Sequence, residues 1–127
     1  GRIETYIGRS PSDRVKMAVV PKEKGKYALT EYEVQARYAE GFTLARFRLY
    51  TGRTHQIRVH CRYIGHPVVG DPVYGSKKQK FHLAGQLLHA CRLELTHPRT
   101  GERMSFEAPL PAYFTDVLSR LERGGRV

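Results

Sequence analysis

Ala28-Leu29-Thr30-Glu31-Tyr32-Glu33-Val34-Gln35-Ala36-Arg37-Tyr38 sets Tyr32, Val34, Ala36 and Tyr38 against Glu31, Glu33, Gln35 and Arg37. A repeat of two residues marks a β-strand with one face buried, because successive side chains leave opposite sides of the pleat. Glu40-Gly41 predicts a hairpin turn into residues 42–50. There Thr43, Ala45, Phe47 and Leu49 share one face, and Leu44, Arg46, Arg48 and Tyr50 share the other. Such an arginine and tyrosine face reads either as a solvated surface or as the wall of a groove for phosphates.

Upstream of this hairpin, residues 2–7 and 15–20 are short apolar runs separated by the polar loop 8–14, and residues 22–26 form a basic turn around Gly25. Downstream, Thr51-Gly52 ends the strand. Thr54 is placed to cap a helix running to about Tyr63, with Ile57, Cys61 and Ile64 on its inner side and Gly65 as its stop. Residues 66–75 are rich in Pro and Gly, and Ser76-Lys77-Lys78-Gln79-Lys80 reads as a mobile basic loop. His89, Cys91, Leu93 and Leu95 suggest a strand over residues 87–95, which turns at 97–101 into a returning strand at 103–108. Pro109-Leu110-Pro111 starts a last helix, residues 112–123, with Phe114, Val117, Leu118 and Leu121 inward. Strands outnumber helices and are joined mainly as hairpins. The expected class is therefore α+β, a mostly antiparallel mixed sheet with a few helices, in a single domain or subdomain over residues 1–127.

Lys and Arg number 22 against 12 Asp and Glu, a formal charge of +10 with a pI near 10.0. That excess favours a polyanionic partner. The forked guanidinium of arginine suits phosphate and base, which ranks nucleic acid above an anionic membrane. No apolar stretch approaches the roughly 18–20 residues of a membrane span, and Gly1-Arg2-Ile3-Glu4 has no signal-peptide character, so a cytoplasmic location and no membrane partner are expected. Cys61 and Cys91 lack a CxxC spacing and read as reduced packing residues. The chain opens on a strand-like run without an initiator Met, as a piece of something longer would.

Thr51-Gly52-Arg53-Thr54-His55-Gln56-Ile57-Arg58-Val59-His60, together with residues 65–75, resembles the RluA-type pseudouridine synthases that modify ribosomal and transfer RNA. Leu88-His89-Ala90 with Leu93 agrees, as do Thr96-His97-Pro98, Thr100-Gly101 and residues 106–111. The order of the segments matches the family, and they cover most of residues 51–111. The resemblance implies a mechanism without metal or organic cofactor. A catalytic aspartate acts on the target uridine, the glycosidic bond breaks, and uracil rejoins the ribose through carbon. The uridine must first leave the stack to be reached.

The family carries that aspartate in a His-Arg-Leu-Asp motif upstream of these segments, and no such tetrapeptide occurs here. Asp13 falls in a loop, Asp116 on the last helix, and Asp71, between Gly70 and Pro72, reads as an Asx-type turn residue. Arg92-Leu93-Glu94 is out of order and has Glu for Asp. The family's base-stacking Tyr has no match among Tyr50, Tyr63 and Tyr74. The chain is therefore expected to be the C-terminal portion of a catalytic domain, to need the missing N-terminal half as partner, and to be inactive alone.

Arg58 matches the family arginine that pairs with the nucleophilic carboxylate. A neighbouring guanidinium holds such a carboxylate ionised and in place, lowering its pKa by about 1–3 units. Leu87 and Leu88 lie where the family sets an apolar side chain against the uracil ring, although core packing would also explain them. Arg53, His55, Gln56 and Arg62 in the motif are candidates for contact with RNA or for positioning the Arg58 helix. The Arg46 and Arg48 face and the Lys77 and Lys78 loop are further RNA candidates. A metal site is not expected: His55 and His60 are five apart, about 140° around a helix, so they diverge instead of converging. His60 and His89 read as partly buried hydrogen-bonding residues. The alternative to an enzyme fragment is a non-catalytic RNA-binding module derived from the same fold, and the codons before Gly1 would separate the two. A phosphate-binding glycine loop, a nucleophile elbow and paired carboxylates are all absent from the sequence.

Overall fold

The computed structural model describes residues 1–78 and 80–127; Gln79 of the basic run lies outside the described residues. Four strands form the larger sheet: β1 (Arg2–Arg9), β2 (Met17–Val19), β3 (Lys26–Arg37) and β4 (Thr43–Leu49). Their order is β2-β1-β3-β4, with every ladder antiparallel. Helix α1 (Gln56–Tyr63) follows β4. Strands β5 (Arg92–Thr96) and β6 (Arg103–Glu107) form a separate antiparallel hairpin, and helix α2 (Ala112–Arg123) closes the chain. The class is α+β, as expected.

The alternation of residues 28–38 is realised in β3. Ala36 and Tyr38 are buried and Tyr32 and Val34 half-buried, with Glu33, Gln35 and Arg37 exposed between them. A bulge between Val34 and Ala36 shifts the register from Val34 opposite Ala45 to Ala36 opposite Leu44. One extra residue on β3 therefore brings Ala36 opposite Leu44, and both lie in the core. There Ala36, Tyr38, Phe81, Val117 and Leu121 pack together, joined by the inner face of α2, as the spacing of Phe114, Val117, Leu118 and Leu121 predicts. The predicted strand over 87–95 begins only at Arg92. In the β5–β6 hairpin Leu93 faces Phe106 and Leu95 faces Met104, and this apolar side is open, with Leu93 57% and Phe106 50% exposed.

A second core cluster, Ile7, Ala28, Val59 and Tyr74, lies between α1 and the sheet. The helix corrects two expectations. Its N-cap is His55, not Thr54, in the left-handed region at φ 56°, ψ 25°, with no side-chain cap. Its buried side is Gln56, Val59, His60 and Cys61, while Ile57 is half-buried and Ile64 37% exposed. The helix is rotated by about one residue from the apolar stripe because the sheet beneath offers hydroxyls. His60, 0% exposed, has Nε2 at 2.7 Å from Thr5 Oγ1 and Nδ1 at 2.8 Å from Thr30 Oγ1. Gly65, at φ +83°, stops the helix as expected. Burial also pushes the Cys61 thiol up to about 11, which keeps it protonated and unreactive.

Burial lowers the pKa of His60 below its ordinary 6.5. Above that value the folded and unfolded chains both hold the ring neutral. As pH falls below 6.5 the unfolded chain takes up a proton that the folded one resists, and stability is lost until the folded value is passed. Urea midpoints should therefore decline from pH 7 to pH 5, and a His60→Gln chain should show a flatter profile. An equal slope in both chains would remove His60 from this role.

Candidate active site

The site is built at the end of β4. Thr51 Oγ1 accepts the Leu29 N–H at 3.0 Å and donates to Gln56 Oε1 at 2.8 Å. Gln56 Oε1 also accepts the Arg53 N–H at 2.9 Å, and its Nε2 donates to Leu29 O at 3.0 Å and Thr30 Oγ1 at 2.9 Å. Both N–H donors and both oxygen lone pairs of this amide are thus used inside the protein, at 3% exposure. Gln56 is therefore a strut that ties the loop before α1 to β3, and the reading of Gln56 as an RNA contact is corrected.

Two residues further along α1, Arg58 reaches across to the loop at 66–75. Its Nε donates to Asp71 Oδ2 at 2.8 Å and its Nη2 to Asp71 Oδ1 at 2.9 Å, a two-point pair in which the side chains are 11% and 0% exposed. Asp71 Oδ1 accepts two more donors, the backbone N–H groups of Val73 at 2.9 Å and Tyr74 at 3.0 Å. The Asx-type turn expected of Asp71 is thus present, and the bond to Arg58 is added to it. Burial pushes this carboxyl up, but the Arg58 fork and the two backbone donors outweigh it and hold the group below its ordinary value. Its partner is pushed up by the same bonds, against burial. The turn demands glycine on both sides. Gly70 stands at φ +76° with a Cβ position 2.6 Å from Gly85 O, and a Cβ on Gly75 would lie 2.5 Å from Asp71 O.

Tyr74 completes the arrangement. The Arg58 guanidinium lies 5.1 Å above its ring centroid, and its hydroxyl accepts the Met17 N–H at 2.9 Å and lies 2.8 Å from His55 Nδ1. Burial lowers the pKa of His55, with the charges of Arg58 and Arg9 acting the same way and Asp71 opposing. The imidazole is therefore neutral at pH 7.

Other candidates stand apart. Arg53 Nε donates to Tyr27 O at 2.8 Å, and Arg62 Nη1 makes a long 3.4 Å bond to Tyr74 O, which leaves both guanidinium groups able to meet an anion. Arg46 and Arg48 are exposed and sit opposite Glu33 and Glu31 on β3, so acidic neighbours share their face. Lys77 and Lys78 are exposed. Leu87 packs on the Phe81 cluster and its N–H donates to Val69 O at 2.8 Å, while Leu88 is half-buried. His89 is half-buried, with Nε2 3.3 Å from Ala108 O. Sequence reasoning missed the linking of Arg58 to Asp71 and the part of Tyr74. The available signal was the pair of glycines, Gly70 and Gly75, bracketing an acid and an aromatic.

A family model described as RNA pseudouridylate synthase matches residues 1–63, ending at the last residue of α1. An uncharacterized RNA pseudouridine synthase of Chloroflexus aurantiacus is 49% identical over 122 residues, covering 96% of this chain and 38% of that protein. The ribosomal large subunit pseudouridine synthase D of Neisseria meningitidis is 49% identical over 136 residues, covering 98% of this chain and 36% of that protein. The chain thus spans about two fifths of the length of the curated relatives it matches. The solved structure of human RNA Pseudouridylate Synthase Domain Containing 1 is similar with a TM-score of 0.71 at 27% identity, over 96% of this chain and 59% of that one.

Proposed function

The chain belongs to the RNA pseudouridylate synthase family, and from that premise we propose that it forms the arginine side of the uridine pocket in an enzyme that isomerises uridine to pseudouridine in ribosomal, specifically large-subunit, or transfer RNA. The reaction exchanges a carbon–nitrogen glycosidic bond for a carbon–carbon one within the same nucleotide. It consumes no oxidant or reductant, so positioned acids, bases and donors are enough to carry it.

The observation that carries this reading is the state of Arg58. Asp71 takes two of the five N–H donors of its guanidinium and Tyr74 covers a face, which leaves a fixed cation with donors to offer a second carboxylate. None of the three aspartates fits that second part. Asp71 Oδ1 already accepts three donors, and Asp13 and Asp116 are exposed, on a loop and on the outer side of α2. The nucleophile therefore comes from outside these 127 residues, and RNA is held by the basic side chains, half-buried Arg53 and exposed Arg62, Lys77 and Lys78 foremost, and by Arg46 and Arg48 where their glutamate neighbours permit.

Tritium release from uridine-labelled ribosomal RNA tests this directly. The 127-residue chain should form no pseudouridine, and the full-length polypeptide that contains it should. Turnover by the chain alone would overturn the placement of the nucleophile, and RNA binding by the full-length polypeptide without turnover would favour the non-catalytic module.

A further inference from the structure

Tyr74 is 3% exposed, in a cluster with Ile7, Ala28 and Val59 where an apolar side chain would satisfy packing. A phenol in such a place buries an oxygen, which is unfavourable unless the oxygen is bonded. Both of its partners belong to half-buried residues: it accepts from Met17 N–H and meets His55 Nδ1. The ring below carries Arg58, the backbone N–H donates to Asp71, and the carbonyl receives Arg62. One residue thus touches every charged group of the arrangement.

Resting on the proposed function, we infer that Tyr74 is the positioning residue of this site: its ring sets the plane of the Arg58 guanidinium, and its hydroxyl fixes His55 with the proton on Nε2. The proton assignment follows from counting donors. Met17 N–H already donates to the phenol oxygen, so the buried hydroxyl proton needs an acceptor, and among the described residues His55 Nδ1 is the one within reach. A neutral imidazole that accepts at Nδ1 carries its proton at Nε2. Among the described residues Nε2 has no partner. The site therefore offers RNA a fixed cation and a neutral donor side by side.

The backbone of His55 supports the same reading. At φ 56° a residue with a Cβ is strained, and glycine would adopt the conformation more easily. What offsets the strain is the side chain, held by the bond to Tyr74 and by an edge-on ring contact with centroids 5.5 Å apart at 73°. A histidine kept in that conformation is kept for its imidazole.

The test uses the full-length polypeptide labelled with ¹⁵N at histidine. His55 should show an unprotonated Nδ1 and a protonated Nε2. Tyr74→Phe keeps the ring and removes the hydroxyl: the two nitrogen signals should move toward averaged values, with kcat down about three-fold. Tyr74→Leu also removes the face under Arg58, and kcat should fall about ten-fold with KM for RNA unchanged. A packing role alone would lower the melting temperature of either variant and leave kcat of the folded protein untouched. A protonated Nδ1 in the unaltered protein, or wild-type kcat in folded Tyr74→Leu, would overturn the inference. If the unaltered protein makes no pseudouridine, the proposed function falls, and the imidazole signals still decide whether Tyr74 sets the tautomer.

Discussion

Replacing Arg58 with alanine in the full-length polypeptide should lower turnover by about 10²–10³-fold while changing RNA affinity little. The size follows from what the guanidinium does. It is a preorganised donor, held on one edge by Asp71 and on one face by Tyr74, so nothing has to be reorganised when a carboxylate meets it. Lysine should not rescue. Its ammonium is a point charge that cannot take the two-point bond with Asp71 or lie flat on Tyr74. The same substitution strips a guanidinium from a carboxylate that is 0% exposed, and the unpaired charge should reduce stability by about 3 kcal/mol. Tritium release and urea unfolding read the two effects separately. A large loss of affinity with turnover intact would remove Arg58 from the pocket.

His60→Ala should cost about 3–4 kcal/mol of folding free energy, read as a lower urea midpoint. Two penalties add. The ring of a fully buried residue leaves a void between α1 and the sheet, and the Thr5 and Thr30 hydroxyls each lose a partner. Thr30 retains the bond from Gln56 Nε2, so the deeper loss falls on Thr5. Thr5→Val combined with His60→Leu should recover part of the cost, because the hydrogen bond to Thr5 is then removed from both sides and Thr30 keeps its bond from Gln56. A cost below about 0.5 kcal/mol for the single substitution would mean that the ring does not fill the space described.

These two residues also show where the sequence was legible. The α+β class and the hairpins followed from period-two alternation, and α2 was readable to its ends because a long helix with Phe114, Val117, Leu118 and Leu121 inward depends on local pattern. The orientation of α1 was not readable. Its eight residues carry four hydrophobic ones, Ile57, Val59, Cys61 and Tyr63, and the side facing the sheet was decided by Thr5 and Thr30, 55 and 30 positions away from His60. The strand predicted from Leu87 shortened to Arg92, since alternation cannot tell a paired strand from an extended segment without a neighbour. At the site, Arg58 was singled out by resemblance and stands in the arrangement described. Its contact with Asp71 spans 13 residues and a loop, a distance over which periodicity carries no information.

The Arg58–Asp71 pair bears finally on how ionic strength enters RNA binding. A protein that neutralises phosphates sheds the cations condensed on the nucleic acid, and the steepness of that dependence counts the phosphates met. Arg58 and its internal carboxylate form a pair of zero net charge, so the pair has none to exchange for a counterion. Of the basic residues behind the +10 formal charge, Arg58 should be one whose removal leaves the logarithmic salt slope unchanged, while Lys77 or Lys78 would each reduce it by about one where they meet a phosphate. A charge can thus be indispensable to the chemistry and invisible to the polyelectrolyte.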